Sequence, residues 1–173
     1  MYLIHRSIDI DFSHHIRGHQ GGCINIHGHT WKFEVGIAAH ELDGQGFVVD
    51  FGDLSRDILR PCHALLDHGL AVGEDTFREI EGGLATIGER LLASRTEPGP
   101  APKKVQLAGA ENRFPGGMKV AVFPFAPTSE RLSRWLFEAA SERFDDTRVR
   151  VEYTRIYETL HPVESVAEYR SPA

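Results

Sequence analysis

Hydrophobic and polar residues alternate at the start of the chain. Ile8, Ile10 and Phe12 share one face, and Asp9, Asp11 and Ser13 share the other. This is the period of a half-buried strand over residues 2–14. Continuing the parity places His14 on the apolar face and His15 on the outer one. A glycine-rich loop, RGHQGGC, follows. A second strand is predicted over residues 26–39, with Trp31, Phe33, Val35 and Ile37 on one face and His27 and His29 extending that face backward. Both strands therefore carry histidines at one end of an inward-facing stripe.

The period then changes. ELDGQG (41–46) reads as a hairpin turn and FVVDF as a short returning strand. Leu54, Ile58, Cys62 and Leu65 fall on one face of a helix running from Asp53 to His68. Pro61 should kink that helix or begin a second segment, and Gly69 is a natural stop. A second helix is predicted over 77–95. TEPGPAPKK (96–104) is a flexible stretch, and 105–125, around ENRFPGG, suits irregular structure or a hairpin. A third helix starts at Thr128, a good N-cap, and buries Leu132, Trp135, Leu136 and Ala139. TRVRVEYTRIYET alternates again, and 163–170 suggests a last strand. Two strands, helix, insertion, helix and two strands make an α+β domain with an antiparallel sheet, one domain over 1–173.

Composition narrows the function classes. A net charge of −6 supplies no bulk attraction for nucleic acid. No segment approaches the roughly 20 apolar residues of a membrane span, and the first residues do not read as a secretory signal. Two cysteines, Cys23 and Cys62, without an export signal point to reduced thiols in the cytoplasm. Histidine is the unusual component: ten in all, five of them between positions 14 and 29.

The spacing His27-x-His29 on a strand sets two imidazoles on one face about 7 Å apart, within reach of one ion. His14, on the same face of the presumed neighbouring strand, is the natural third ligand. Three neutral imidazoles suit zinc and leave a fourth position open, as in catalytic sites. Cys23 is open to three readings: a fourth ligand closing a structural site, a buried small hydrophobe, or a nucleophile or base. Cys62, on the apolar face of its helix, reads as core. Asp67-His68 ends a helix and suits either a dipole-stabilised histidine or a catalytic dyad. Glu158, near a strand end, would by default be an exposed charge.

Taken in order, these residues resemble the 6-pyruvoyltetrahydropterin synthase/6-carboxytetrahydropterin synthase family, whose domains adopt the tunnelling fold. The matching pieces are IDFSHHI, CINIHGH with its Cys-x3-His-Gly-His spacing, VVDFGDL, PCHALLDH, APTSE and IYET. They cover residues 8–70 and 125–160. The resemblance implies a four-stranded antiparallel sheet with helices on one face. It implies that His14, His27 and His29 bind Zn2+ and that Cys23 is a proton-transferring thiol rather than a ligand. Asp67 and His68 would complete a relay that in this family comes from a neighbouring subunit. Glu158, helped by Thr128 and Ser129, would anchor the amino-pyrimidine edge of a pterin, since a carboxylate accepts two parallel hydrogen bonds from adjacent N–H donors. The implied activity is a lyase acting on 7,8-dihydroneopterin triphosphate, with loss of triphosphate. The Cys-x3-His spacing looks more like the bacterial carboxytetrahydropterin enzyme, a branch tied to queuosine and 7-deazapurine biosynthesis. The implied partners are a small-molecule pterin and further copies of the chain in a hexamer, with no nucleic acid and no membrane.

Two features depart from the family pattern. His15 stands where an arginine usually follows the zinc histidine, and 59 residues separate His68 from Thr128, a long insertion at about 71–124. A homologue with a changed substrate, or one that only binds a pterin or purine, is the competing expectation.

Overall fold

The computed structural model describes residues 1–171. The alternation at the chain start becomes β1 (Tyr2–His14), on which Ile10, Phe12 and His14 are buried. Parity alone therefore placed His14 correctly. The second stripe becomes β2 (His27–Ala39), with Trp31, Phe33, Val35 and Ile37 wholly buried. Each large apolar side chain removed from water in this way contributes roughly 1.5–3 kcal/mol.

Two compact units divide the chain. The first comprises residues 1–10, 29–64 and Thr128 onward. In it, β2 pairs antiparallel with β7 (Val149–Thr159), which pairs antiparallel with β8 (Ser165–Arg170). Its first helical stretch runs through α1 (Phe51–Leu54), a π-helical turn (Ser55–Leu59) and the start of α2 (Arg60–Leu66). Leu54, Ile58, Cys62 and Leu65 are buried along this stretch as their spacing predicts. A second α-helical segment, α2, begins beside Pro61 as expected, after the π-helical turn. The Arg60 N–H donates to the Ser55 carbonyl five residues back, so the wider turn lies just before the residue that has no N–H to give. The later helix of this unit spans Ser129–Phe144, and Thr128 caps it by accepting from the Arg131 N–H at 3.3 Å. Leu132, Trp135, Leu136 and Ala139 are buried on it, and it packs against β7 and β8.

The second unit comprises residues 11–28 and 65–127. Here β3 (Leu70–Gly73) runs parallel to the end of β1 and parallel to β6 (Val120–Phe123). β5 (Ala110–Arg113) pairs antiparallel with β6, and the short β4 (Gln106–Leu107) pairs antiparallel with β5. The helix α3 (Glu74–Leu92) adds Phe77 and Leu84 to a core made with Leu70, Val72, Val120 and Val122. In chain order the helix Ser129–Phe144 is α4.

The sheet corrects the four-stranded antiparallel expectation. Among the described residues, β2, β7 and β8 of the first unit pair antiparallel, whereas in the second unit β3 runs parallel both to the end of β1 and to β6, so the strands exceed four and their pairing is mixed. The insertion is the reason, because β3 to β6 all come from residues 70–123. One further expectation fails locally. FVVDF forms no strand: the Arg148 guanidinium takes the carbonyls of Phe47 and Val48, and Asp50 caps α1 by accepting from the Gly52 N–H. α2 stops before Gly69 as expected, and the residue in the left-handed conformation there is His68, at φ 55°.

Candidate metal centre

The histidine pair is built by two neighbouring strands. His14 is buried at the end of β1, and His27 and His29 are half-buried at the start of β2. Gly28, between the latter two, lies close to the β1 backbone; a side chain there would begin 3.3 Å from the Phe12 carbonyl oxygen. His14 directs Nδ1 at the Pro127 carbonyl (3.2 Å) and His27 directs Nδ1 at the Asn25 carbonyl (2.9 Å). A carbonyl only accepts, so each Nδ1 carries the proton and each neutral ring keeps its lone pair on Nε2. Those two Nε2 atoms face each other at 3.1 Å. Two lone pairs so placed repel unless a cation or a proton lies between them. Tetrahedral zinc with N ligands at 2.0–2.1 Å would hold its donors about 3.3–3.4 Å apart, so the spacing fits a shared ion. The backbone carbonyls behind the rings are the usual devices that fix a ligand's tautomer and orientation.

His29 packs edge-on against Trp31 with centroids 5.4 Å apart, and its Nε2 lies 3.6 Å from Glu158 Oε1. Glu158 accepts on Oε2 from the Ser129 hydroxyl at 3.3 Å. The β7–β8 register skips one residue here: Tyr157 pairs with Val166 and Thr159 with Ser165. Glu158 is thus the extra residue of a bulge, a local device that re-aims a side chain. His14 and His27 in the second unit, and His29 and Glu158 in the first, each offer one ligand atom that could hold a metal ion. Three nitrogens and one carboxylate oxygen form a donor set that suits a borderline divalent ion such as zinc.

The other expected residues stand as follows. Thr128 spends its hydroxyl oxygen on capping α4, so Ser129 is the one that meets Glu158. Cys23 is half-buried in a 3-10 turn (Gly22–Ile24), and its carbonyl accepts from the Ile16 N–H at 2.8 Å, tying the loop back to the residues after His14. Asp67 and His68 pair with each other, Oδ2 to Nδ1 at 2.9 Å. Cys23, Asp67 and His68 do not belong to the four-residue group. Cys62 is wholly buried, and burial pushes its thiol well above the usual range, as suits a core residue. Sequence reasoning did not find the Pro127 and Asn25 carbonyls, which carry no side-chain signature, nor the placement of Glu158 beside the histidines.

The comparisons with known proteins now bear on this arrangement. The 6-pyruvoyl tetrahydropterin synthase family model matches residues 3–172. The chain belongs to that family. A 6-carboxy-5,6,7,8-tetrahydropterin synthase of Haemophilus influenzae is 25% identical over 162 residues, covering 92% of this chain and 94% of that protein. One of the same name from Rickettsia typhi is 39% identical over 94 residues, 54% of this chain and 67% of that one. Among solved structures, an uncharacterized protein of Wolinella succinogenes matches with a TM-score of 0.67 at 21% identity, covering 99% of this chain and 98% of that one. The 6-pyruvoyl tetrahydropterin synthase of Caenorhabditis elegans matches at 0.56 and 16%, covering 99% and 96%. These structures share the α+β fold. Among the described residues no helix is long and apolar enough to cross a membrane.

Proposed function

We propose that this protein is a zinc-dependent pterin lyase that acts on 7,8-dihydroneopterin triphosphate and eliminates triphosphate, as a 6-carboxytetrahydropterin synthase. The relatives reported above bear that name, and the Cys-x3-His spacing agrees with it. The observation that carries the reading is the pair of imidazole lone pairs facing each other at 3.1 Å, with both Nδ1 protons committed to backbone carbonyls. In this reading His14, His27 and His29 hold the ion. Bound zinc supplies Lewis-acid polarisation of oxygen atoms on the substrate side chain.

The remaining work falls to this chain's own groups. The Cys23 thiol moves protons on the substrate side chain from its turn just before β2. Asp67 orients His68 through Nδ1, leaving Nε2 to pass protons as the outer member of the relay. Glu158, steadied by Ser129 beside the Thr128 cap, accepts from the amino-pyrimidine edge. Assembly as a cytoplasmic homo-oligomer, a hexamer in the family pattern, would bring the relay of one copy to the site of another.

Incubating zinc-loaded protein with dihydroneopterin triphosphate and following products by mass tests the assignment. Release of triphosphate and acetaldehyde with a carboxytetrahydropterin is the expected outcome. A product that keeps its three-carbon side chain moves the reaction to the pyruvoyl branch. No turnover with zinc demonstrably bound sinks the synthase reading.

A further inference from the structure

The insertion contributes a residue to the turn that carries Asp67 and His68. We propose that Lys119 is a positioning residue for the Asp67–His68 pair, clamping the turn by donating from Nζ to the Asp67 carbonyl. This rests on the reading of that pair as the proton relay.

The clamp follows from register. β3 and β6 run parallel with Leu70 opposite Val120, so Lys119 falls alongside Gly69. The Leu70 N–H donates to the Lys119 carbonyl at 3.1 Å, and the Lys119 ammonium reaches back to the Asp67 carbonyl at 2.7 Å. That carbonyl lies just past the last residue of α2, where a cation also meets the negative end of the helix dipole. The rest of the turn is held as closely. The His68 N–H donates to the Asp11 carbonyl at 2.7 Å, the Gly69 N–H to Leu66 at 2.8 Å, and the Ser13 N–H and hydroxyl to the Gly69 carbonyl at 3.0 and 3.2 Å.

What is held is an unusual conformation. His68 sits at φ 55° with its side chain 82% exposed, in a region that a residue with a side chain enters only when its surroundings impose it. The Asp67–His68 peptide is the unit whose rotation would release that conformation, and Lys119 grips its carbonyl. Glycine at 69 is required by the turn's own backbone, since a Cβ there would stand 2.8 Å from the Leu66 carbonyl oxygen, while the Lys119 stem at 3.5 Å would be in ordinary contact. Burial lowers the affinity of the Lys119 ammonium for its proton, and the nearby Asp67 charge opposes that effect. A lysine held half-buried against a carbonyl gives up hydration that a surface lysine would keep.

The experiment compares the zinc-loaded wild type with Lys119→Met, which keeps the apolar stem, and Lys119→Arg, which keeps a charged donor. Amide exchange at His68 should quicken at least about tenfold in Lys119→Met, with zinc content unchanged. With dihydroneopterin triphosphate, kcat should fall about ten- to hundredfold at unchanged KM, and Lys119→Arg should recover most of it. Unchanged exchange at His68 overturns the clamp. Faster exchange with unaltered kcat overturns its catalytic meaning, as does a loss confined to KM or one that accompanies unfolding. A wild type that does not turn over sinks the proposed function and the catalytic meaning together. The exchange comparison then still decides whether the clamp exists.

Discussion

His14 Nε2 and His27 Nε2 stand 3.1 Å apart, each ring anchored from behind by a backbone carbonyl. With both Nδ1 atoms directed at carbonyls, two neutral rings would have no proton to share between their Nε2 atoms. The arrangement makes sense as two ligands of one ion. The same anchoring predicts that the rings are set before the metal arrives, so binding costs little ordering of side chains.

Metal binding should therefore stabilise the fold strongly. At a free zinc concentration a thousandfold above the dissociation constant, linkage gives about 4 kcal/mol. Removal of zinc by a chelator, or the substitution His27→Ala, should lower Tm by about 10 °C. Differential scanning calorimetry with metal analysis checks this. Full zinc occupancy in His27→Ala would remove that histidine from the ligand set.

Cys23 and Cys62 should behave as opposites. Cys62 is wholly buried and its thiol is held protonated by burial, whereas Cys23 is half-buried in a loop turn. Alkylation of native protein at pH 8 should modify Cys23 and leave Cys62 untouched until unfolding, as peptide mass mapping would show. Cys23→Ala should keep its zinc and its Tm while kcat falls about 10²–10⁴-fold, the range for losing an acid or base. Loss of zinc or of folding in Cys23→Ala would instead make the thiol a ligand of a closed structural site.

Much of this site was legible because its geometry follows periods. The run Ile8, Ile10, Phe12 carried His14 into the buried face, and Trp31 and Phe33 carried His27 and His29. Thr128 announced α4 through its capping hydroxyl. The β5–β6 hairpin lies where 105–125 allowed one, and what escaped was the parallel pairing of short apolar runs far apart in sequence. Leu70–Gly73 and Val120–Phe123 are four buried residues each, with no alternation to mark them, and they pair across about fifty residues. FVVDF misled for the opposite reason: its composition suits a strand, but Arg148 and Asp50 claim the backbone groups that a ladder needs. The placement of Glu158 depends on a bulge, which leaves no mark in a two-residue period.

Stability should depend on pH through Asp57. Its carboxylate accepts from the Arg56 guanidinium and from Arg143 of α4, and these bonds, Arg56 first, hold it below the usual carboxylate range against the opposing effect of burial. A depressed folded pKa contributes stability that is fully present above the unfolded value of about 4 and is lost as pH falls through the folded one. Both arginines are more than half exposed, which limits the gain. Asp57→Asn should cost about 1 kcal/mol at pH 7 in urea denaturation of the metal-free protein. The gap from wild type should close as pH falls from about 5 to 2. A gap that stays constant over that range would show that Asp57 acts through packing and not through charge.

Glu158 decides whether the centre is open or closed. Its oxygens lie 3.6 Å from His29 Nε2 and 3.3 Å from the Ser129 hydroxyl, so the same carboxylate is placed either to complete the ion's shell or to face a substrate. A carboxylate ligand would give four protein donors and a closed site, whereas three histidines leave the coordination position that a catalytic zinc needs. The proposed function requires the second. Glu158→Gln keeps the shape and the Ser129 contact while removing the charge. It should retain zinc at full stoichiometry and raise KM about 10- to 100-fold, the cost of one charge-assisted hydrogen-bonded pair of about 1.5–3 kcal/mol. Titrating zinc into both proteins against a competing chelator, beside steady-state kinetics, separates the two roles. A drop in zinc affinity with KM unchanged would place Glu158 in the ion's shell and leave the pterin without its carboxylate partner.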